Sequence, residues 1–273
     1  MKRKAQVITF SNNKGGTGKT TSVANTGAAL ARRGYKTLLI DLDSQRNLTI
    51  FFGVETPDII SEALLGYCGI EELPLFLWDN LDIIAGTTDT TLEQQLADKP
   101  NPEATLKEVL KPLLYEYDFI LLDTPPAIGF INLNALAASD GVIIPMTPSY
   151  LAFRGMAALT EVMDNARLSI NKALKVYSVI FTQFNERIII HEQLKEAIES
   201  YYKAGQEDTF TAKVRTNISL VESPAERKDI FRYKIDSNGA KDYDAFALRL
   251  LKYLGLPETT ADKWKNYADI QPA

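Results

Sequence analysis

The segment Asn13-Lys14-Gly15-Gly16-Thr17-Gly18-Lys19-Thr20-Thr21 follows directly on the apolar run Val7-Ile8-Thr9-Phe10, and nothing else in the 273 residues restricts the fold as tightly. It reads as a phosphate-binding loop set between a buried strand and the first turn of a helix. Glycines let backbone N–H groups close around phosphate oxygens, and the helix directs its positive end at the same anion. Lys14, Gly15, Gly16, Thr17, Gly18, Lys19, Thr20 and Thr21 are therefore the nucleotide-binding candidates. Lys19 is placed to reach the β and γ phosphates and the Thr20 hydroxyl to bind Mg²⁺. The strict pattern would have glycine where Asn13 stands; instead a second lysine, Lys14, precedes Gly15-Gly16.

Beyond the loop, apolar strands alternate with helical patterns. This predicts an α/β fold, doubly wound, with a mainly parallel sheet and helices on both faces. Strands are expected at Gln6–Phe10, Thr37–Asp41, Ile83-Ile84, Phe119–Leu122, Val142–Ile144, Val176–Phe181 and Phe210–Val214, about seven in all. Helical spacing covers Thr20–Arg33, Pro102–Tyr115, Leu133–Ala138, Phe153–Leu168 and Ile189–Tyr202, with Gly34 closing the first. Residues 53–80 mix Gly, Pro and acids with Leu and Phe, which suggests short helices beside the nucleotide edge. No repeat or Pro/Ser-rich linker divides the chain, so 1–273 is expected to be a single domain. The stretch 259–273, with Trp264 and Tyr267, forms a C-terminal extension that docks as a last short helix or frays.

Ligands of a parallel sheet sit outside the carboxyl ends of its strands, so strand-end acids are the natural companions of the loop. Phe119-Ile120-Leu121-Leu122-Asp123 closes on one such acid in the Walker B manner, with Asp123 expected to hold Mg²⁺ through water. Leu38-Leu39-Ile40-Asp41-Leu42-Asp43 closes on two, and strand alternation would point Asp41 and Asp43 to the same side.

The string K-G-G-x-G-K-T resembles the deviant Walker A loop of the ParA/MinD group of P-loop NTPases. The resemblance extends to the family's D-x-D-P-Q-G-N segment, present here as Asp41-Leu42-Asp43-Ser44-Gln45-Arg46-Asn47, with Ser44 in place of Pro and Arg46 in place of Gly. Looser matches run through 134–145, 217–224 and 233–240, so the likeness covers most of residues 6–250. It implies an ATPase using ATP and Mg²⁺, with Lys14, Lys19 and Asp43 as the catalytic set. In that reading Lys14 reaches the nucleotide of a partner subunit, Asp43 orients the attacking water, and Thr20, Asp41 and Asp123 form the metal set. Asn185, in Thr182-Gln183-Phe184-Asn185, falls where the family places an adenine contact, and the guanine-reading Asn-Lys-x-Asp tetrad is absent there. Arg46 is either a contact to nucleotide or a solvated cation.

The same resemblance implies a homodimer on ATP binding, nonspecific DNA, and a ParB-like stimulating protein bound to cargo. A net charge of −5 gives no bulk attraction to nucleic acid, so DNA contact needs a local patch. Residues 213–241 hold seven basic residues against four acids. Within them Lys213, Arg215, Arg232 and Lys234 are the DNA-binding candidates, although Arg215 is displaced by one position from the family's Pro-Arg-Asn. The single cysteine, Cys68, excludes an intrachain disulfide and the paired cysteines of a nitrogenase-iron-protein relative; it is expected as an apolar filler. His191, the only histidine, is expected as a polar surface residue. A MinD-like membrane-positioning ATPase would need a basic amphipathic helix at its end, and an ATP-dependent metabolic ligase would need a second small-molecule pocket. No apolar run is long enough to span a bilayer, so a cytoplasmic setting with no membrane partner is expected, and the resemblance implies association with the nucleoid.

Overall fold

The structure is a computed structural model that describes residues 3–56, 60–126 and 129–258, and for 151–159 the backbone alone. Its strands are β1 (Gln6–Phe10), β2 (Thr37–Asp41), β3 (Leu75–Trp78), β4 (Leu81–Ile84), β5 (Phe119–Asp123), β6 (Gly141–Met146), β7 (Lys175–Phe184) and β8 (Phe210–Arg215). They form one sheet in the order β3-β4-β2-β5-β1-β6-β7-β8, parallel throughout except where β3 pairs antiparallel with β4.

Side chains alternate across the sheet as the pleat requires, and this sorts the core into two layers. Ile8, Phe10, Leu39, Phe119 and Leu121 face one way and pack with α1 (Lys19–Arg32), through Val23, Ala24, Ala28 and Leu30. Val7, Leu38, Ile40, Ile120 and Leu122 face the other way. There they meet the short helices α3 (Ile60–Leu65), α4 (Leu92–Ala97), α5 (Thr105–Val109) and α6 (Phe130–Ala138), which follow α2 (Asn47–Phe51) in the chain. The C-terminal half adds α7 (Tyr150–Ser169), α8 (Ile189–Ala204), α9 (Ser219–Glu222), α10 (Ile230–Lys234) and α11 (Asn238–Tyr253). Through Tyr243, Phe246 and Leu250, α11 shares the layer of α1.

The doubly wound arrangement is as expected, and three local expectations change. The sheet has eight strands rather than seven, because Leu75-Phe76-Leu77-Trp78 adds an antiparallel edge next to β4. That strand lies in the mixed 53–80 region, among whose described residues only α3 and a 3₁₀ turn at Ile70–Glu72 are helical. The single helix expected over 102–115 is broken into α5 flanked by 3₁₀ turns, since Pro112 has no N–H to continue a helical ladder. Gly34 does close α1, at a positive φ of 83°. The proposed C-terminal extension, with Trp264 and Tyr267, lies outside the described residues. No described helix is long and apolar enough to cross a membrane.

Candidate nucleotide site

The loop after β1 is tied to the sheet before it reaches the helix. Asn12, almost fully buried, donates from Nδ2 to the Pro145 carbonyl at 2.7 Å and accepts the Lys14 N–H at Oδ1 at 3.1 Å. Thr182 at the end of β7 donates its hydroxyl to the Thr17 carbonyl at 2.8 Å. Gly16 between these anchors and Gly18 just past them take positive φ values of 71° and 80°, a backbone that L side chains rarely adopt. Gly18 is the N-cap of α1, whose own first turn carries no acid to offset the positive end of the helix.

The two lysines occupy opposite environments. Lys19 is buried, and its Nζ donates to the carbonyls of Asn12 at 3.2 Å and Lys14 at 3.5 Å. Burial pulls the ammonium below its ordinary pKa, against the pull of Asp123 and Asp43. A strongly hydrated cation held by two carbonyls inside the fold is poised to exchange them for anionic oxygens. Lys14, Gly15 and Gly16 stand exposed on the rim.

Parallel pairing sets the acids. In register, Asp41 at the end of β2 lies beside Asp123 at the end of β5. Asp123 accepts the Thr20 hydroxyl at Oδ2, 2.7 Å away, while its buried Oδ1 has no hydrogen-bond partner. Burial pushes this carboxyl well above the usual range, and Asp41 adds to the shift. An orphaned carboxylate oxygen beside a threonine hydroxyl fits Mg²⁺, which keeps several waters and takes only one or two protein carboxylates with phosphate oxygens. No described group of three or more His, Cys, Asp or Glu forms a self-sufficient metal cage.

Asp41 behaves differently. Its Oδ2 accepts both the N–H and the hydroxyl of Thr49, at 2.9 and 2.8 Å, and its Oδ1 accepts the Asp43 N–H at 3.1 Å. Burial raises its pKa to about 6 even so. The expected support of the Mg²⁺ shell by Asp41 thus meets a carboxylate whose two oxygens already bind the protein. Asp43 lies past the end of β2, so strand alternation does not orient it; Leu42 donates to the Asp123 carbonyl and Gln45 to Asp43 Oδ1, turning the chain there. Asp43 is nearly buried and within electrostatic reach of Lys19. Arg46, at φ 54°, holds the left-handed conformation that explains the family's glycine, and its Nη2 donates to the Thr56 carbonyl at 2.9 Å.

A cavity of about 320 Å³ opens beside the first turn of α1, lined by Thr21, Gln183, Val214, Asn217, Leu220 and Tyr243 among others. It has the size and the mixed lining of a base pocket. Asn185 is not among the residues lining it. Instead Asn185 Oδ1 accepts the Arg187 N–H, and its own N–H donates to His191 Nδ1 at 3.1 Å. Asn185 thus stands in a turn off this cavity, whose wall carries the Gln183 and Asn217 amides instead. The likeness of 217–224 to the family was the available signal for Asn217. His191 is correspondingly a turn anchor, its ring edge-on to Phe184, rather than an idle surface group.

A sequence model described as an AAA domain matches residues 5–176. The chain is 38% identical over 253 residues to the chromosome partitioning protein ParA of Myxococcus xanthus, covering 90% of this chain and 88% of that one. This chain belongs to the ParA family. A putative plasmid partition protein from Borrelia burgdorferi bound to AMPPNP superimposes with a TM-score of 0.74 at 27% identity, over 92% of this chain and 98% of that one. Cobyrinic acid a,c-diamide synthase from Mycobacterium smegmatis, with an ATP analogue and magnesium, gives 0.79 at 26% identity, over 94% and 100%.

The basic residues that the ParA resemblance assigns to DNA are mostly engaged within the chain. Arg215 makes a bidentate ion pair with Asp242 of α11, with Nη2 2.6 Å from Oδ1, and its backbone N–H also donates to Asp242. Lys213 pairs with Glu186 at 2.7 Å and lies over the Phe184 ring. Arg232 is half-buried, its guanidinium 4.7 Å from the Trp78 ring centre. Lys234 is exposed. Cys68 is a partly buried filler against the second core layer, as expected.

Proposed function

We propose that this ParA-family chain hydrolyses ATP to ADP and phosphate, closes into a dimer around two nucleotides, and in that form binds DNA without sequence preference to segregate a cargo. The observation that carries this reading is the split pair of lysines: Lys19 buried on loop carbonyls, Lys14 exposed on the rim of the same loop. A single-subunit site needs only the buried one. An exposed lysine at the mouth is suited to neutralising phosphates presented by a second copy.

In this mechanism the loop N–H groups and Lys19 hold the β and γ phosphates, the ammonium exchanging its carbonyl partners for phosphate oxygens. Thr20 and Asp123 hold Mg²⁺, which supplies charge neutralisation at the phosphates. Asp43 orients the attacking water, and Lys14 stabilises charge across the seam. The base lies in the cavity of Gln183 and Asn217. A partner bound to the cargo raises turnover, and the dimer then opens and leaves the DNA.

Gel filtration with ATP in an Asp43→Ala background is the direct test: a dimer is expected, and adding Lys14→Ala should return it to monomer. Normal dimerisation of the Lys14 variant would remove the sandwich. A wild-type dimer that ignores DNA but binds anionic vesicles would favour a MinD-like positioning role. Turnover that appears only with a carboxylate co-substrate would favour a ligase.

A further inference from the structure

We propose that Thr49 is a positioning residue for hydrolysis, acting through Asp41 to fix where Asp43 stands. The inference rests on the ATPase reading above. Helix α2 begins at Asn47 behind Arg46, whose side chain makes no capping bond to it. A helix start without a local cap needs its N–H groups satisfied from elsewhere. Asp41 does this from the neighbouring strand end, its Oδ2 accepting the Thr49 N–H and hydroxyl together. The Thr49 oxygen in turn accepts the Gly86 N–H at 3.0 Å, which ties the pair to the end of β4. Thr49 is 1% exposed and Asp41 0%, so water offers no substitute partner.

The consequence passes to the reaction centre through one bond. With Oδ2 held by Thr49, Asp41 presents Oδ1 to the Asp43 N–H at 3.1 Å, at the turn where the chain leaves β2. On the far side of that turn Arg46 donates its N–H to the Asp43 carbonyl at 2.8 Å. Asp43 is therefore gripped at its N–H by a chain of contacts that ends at Thr49 and Gly86, and at its carbonyl by the start of α2. Catalysis by a water-orienting carboxylate is sensitive to displacements of this kind, because about 1 Å of misplacement can cost about 100-fold in rate. The packing leaves little slack: a Cβ on Gly86 would stand 3.0 Å from Asp41 Cγ and 3.2 Å from its Oδ2.

The test compares Thr49→Val, which keeps the shape and loses the hydroxyl, with Thr49→Ser, which keeps the hydroxyl. Steady-state hydrolysis and binding of a fluorescent ATP analogue are read on each. Thr49→Val is expected to lower kcat by roughly 10- to 100-fold with analogue affinity within about twofold of wild type, and Thr49→Ser to restore kcat. A purely structural role would lower the urea midpoint without this split between kcat and affinity. Gly86→Ala, with Thr49 untouched, should show the same split by pushing on Asp41 from the other side, and it serves if the valine variant does not fold. Wild-type kcat in the folded valine or alanine variant, equal losses of kcat and affinity, or no recovery with serine would each overturn the proposal. Absence of turnover in the wild-type protein would instead overturn the ATPase reading beneath it.

Discussion

The strand ends around β1, β2 and β5 and the flank formed by β8, α10 and α11 both concentrate charged residues, but they treat them in opposite ways. At the strand ends, Lys19 is buried on carbonyls and Asp123 keeps an orphaned oxygen, and burial disfavours the charged form of both groups. On the flank, Arg215, Lys213 and Arg232 have found partners within the chain: Asp242, Glu186 and the Trp78 ring. A site that binds an external ion holds desolvated charges short of partners, at a cost in stability, whereas a structural patch satisfies its own. The difference teaches that a surplus of basic residues in a sequence window says little about a binding face until their partners are known.

The comparison predicts opposite signs for truncation in the two regions. Lys19→Ala should weaken ATP binding by about 100-fold or more, since hydrogen bonds from a charged donor are worth roughly 1.5–3 kcal/mol each. It should also raise the apo protein's urea midpoint, because a buried cation has been removed. A lower midpoint would break the contrast. Next in size is Asp242→Ala, expected to cost about 2 kcal/mol by releasing the β8 end and Arg215. If the flank meets DNA phosphates, the freed guanidinium should tighten DNA retention in low salt even as stability falls. Weaker retention would show that Arg215 contributes to DNA binding while paired.

Smaller still is Lys234→Glu, which should weaken DNA binding and flatten its salt dependence by about one phosphate contact without moving the urea midpoint. A shift in midpoint with DNA binding intact would place Lys234 among the structural cations. Arg46→Gly should lie within about 1 kcal/mol of wild type. Relief of the left-handed backbone, roughly 1–2 kcal/mol, is offset by loss of the bond to the Thr56 carbonyl and by glycine's greater chain entropy. A large drop in kcat would instead make Arg46 part of the reaction centre.

An effect of comparable size concerns pH. Burial lowers the His191 pKa, and its unprotonated Nδ1 accepts the Asn185 N–H. The folded pKa lies below the unfolded one, so this contribution is complete above about 6.5 and disappears as pH falls through the folded value. Wild type should therefore lose roughly 0.5–1.5 kcal/mol more than His191→Phe on going from neutral to mildly acidic conditions. An equal loss in both would mean that His191 does not anchor this turn.

The chain's sequence by itself determined the alternation of strands and helices, the phosphate loop, and the strand-end acids, because each is encoded locally. A glycine at positive φ, an apolar run with period two or an acid at the end of such a run needs no distant partner to be recognised. The break at Pro112 is encoded just as locally, but the apolar helical spacing runs straight through it and masks it. What only the tertiary structure decided is how polar groups are shared between segments far apart in sequence. Asp41 and Asp123 look alike as strand-end carboxylates, yet Thr49 and the Asp43 N–H fill one while Oδ1 of the other stays without a partner. Asn185 and Asn217 are both asparagines just past a strand, and only the second lines the cavity. Arg215 meets Asp242 because α11 crosses behind β8. Hydrogen-bond valence is satisfied by whichever group packing brings within about 3 Å, and that choice is made when the sheet and its helices close.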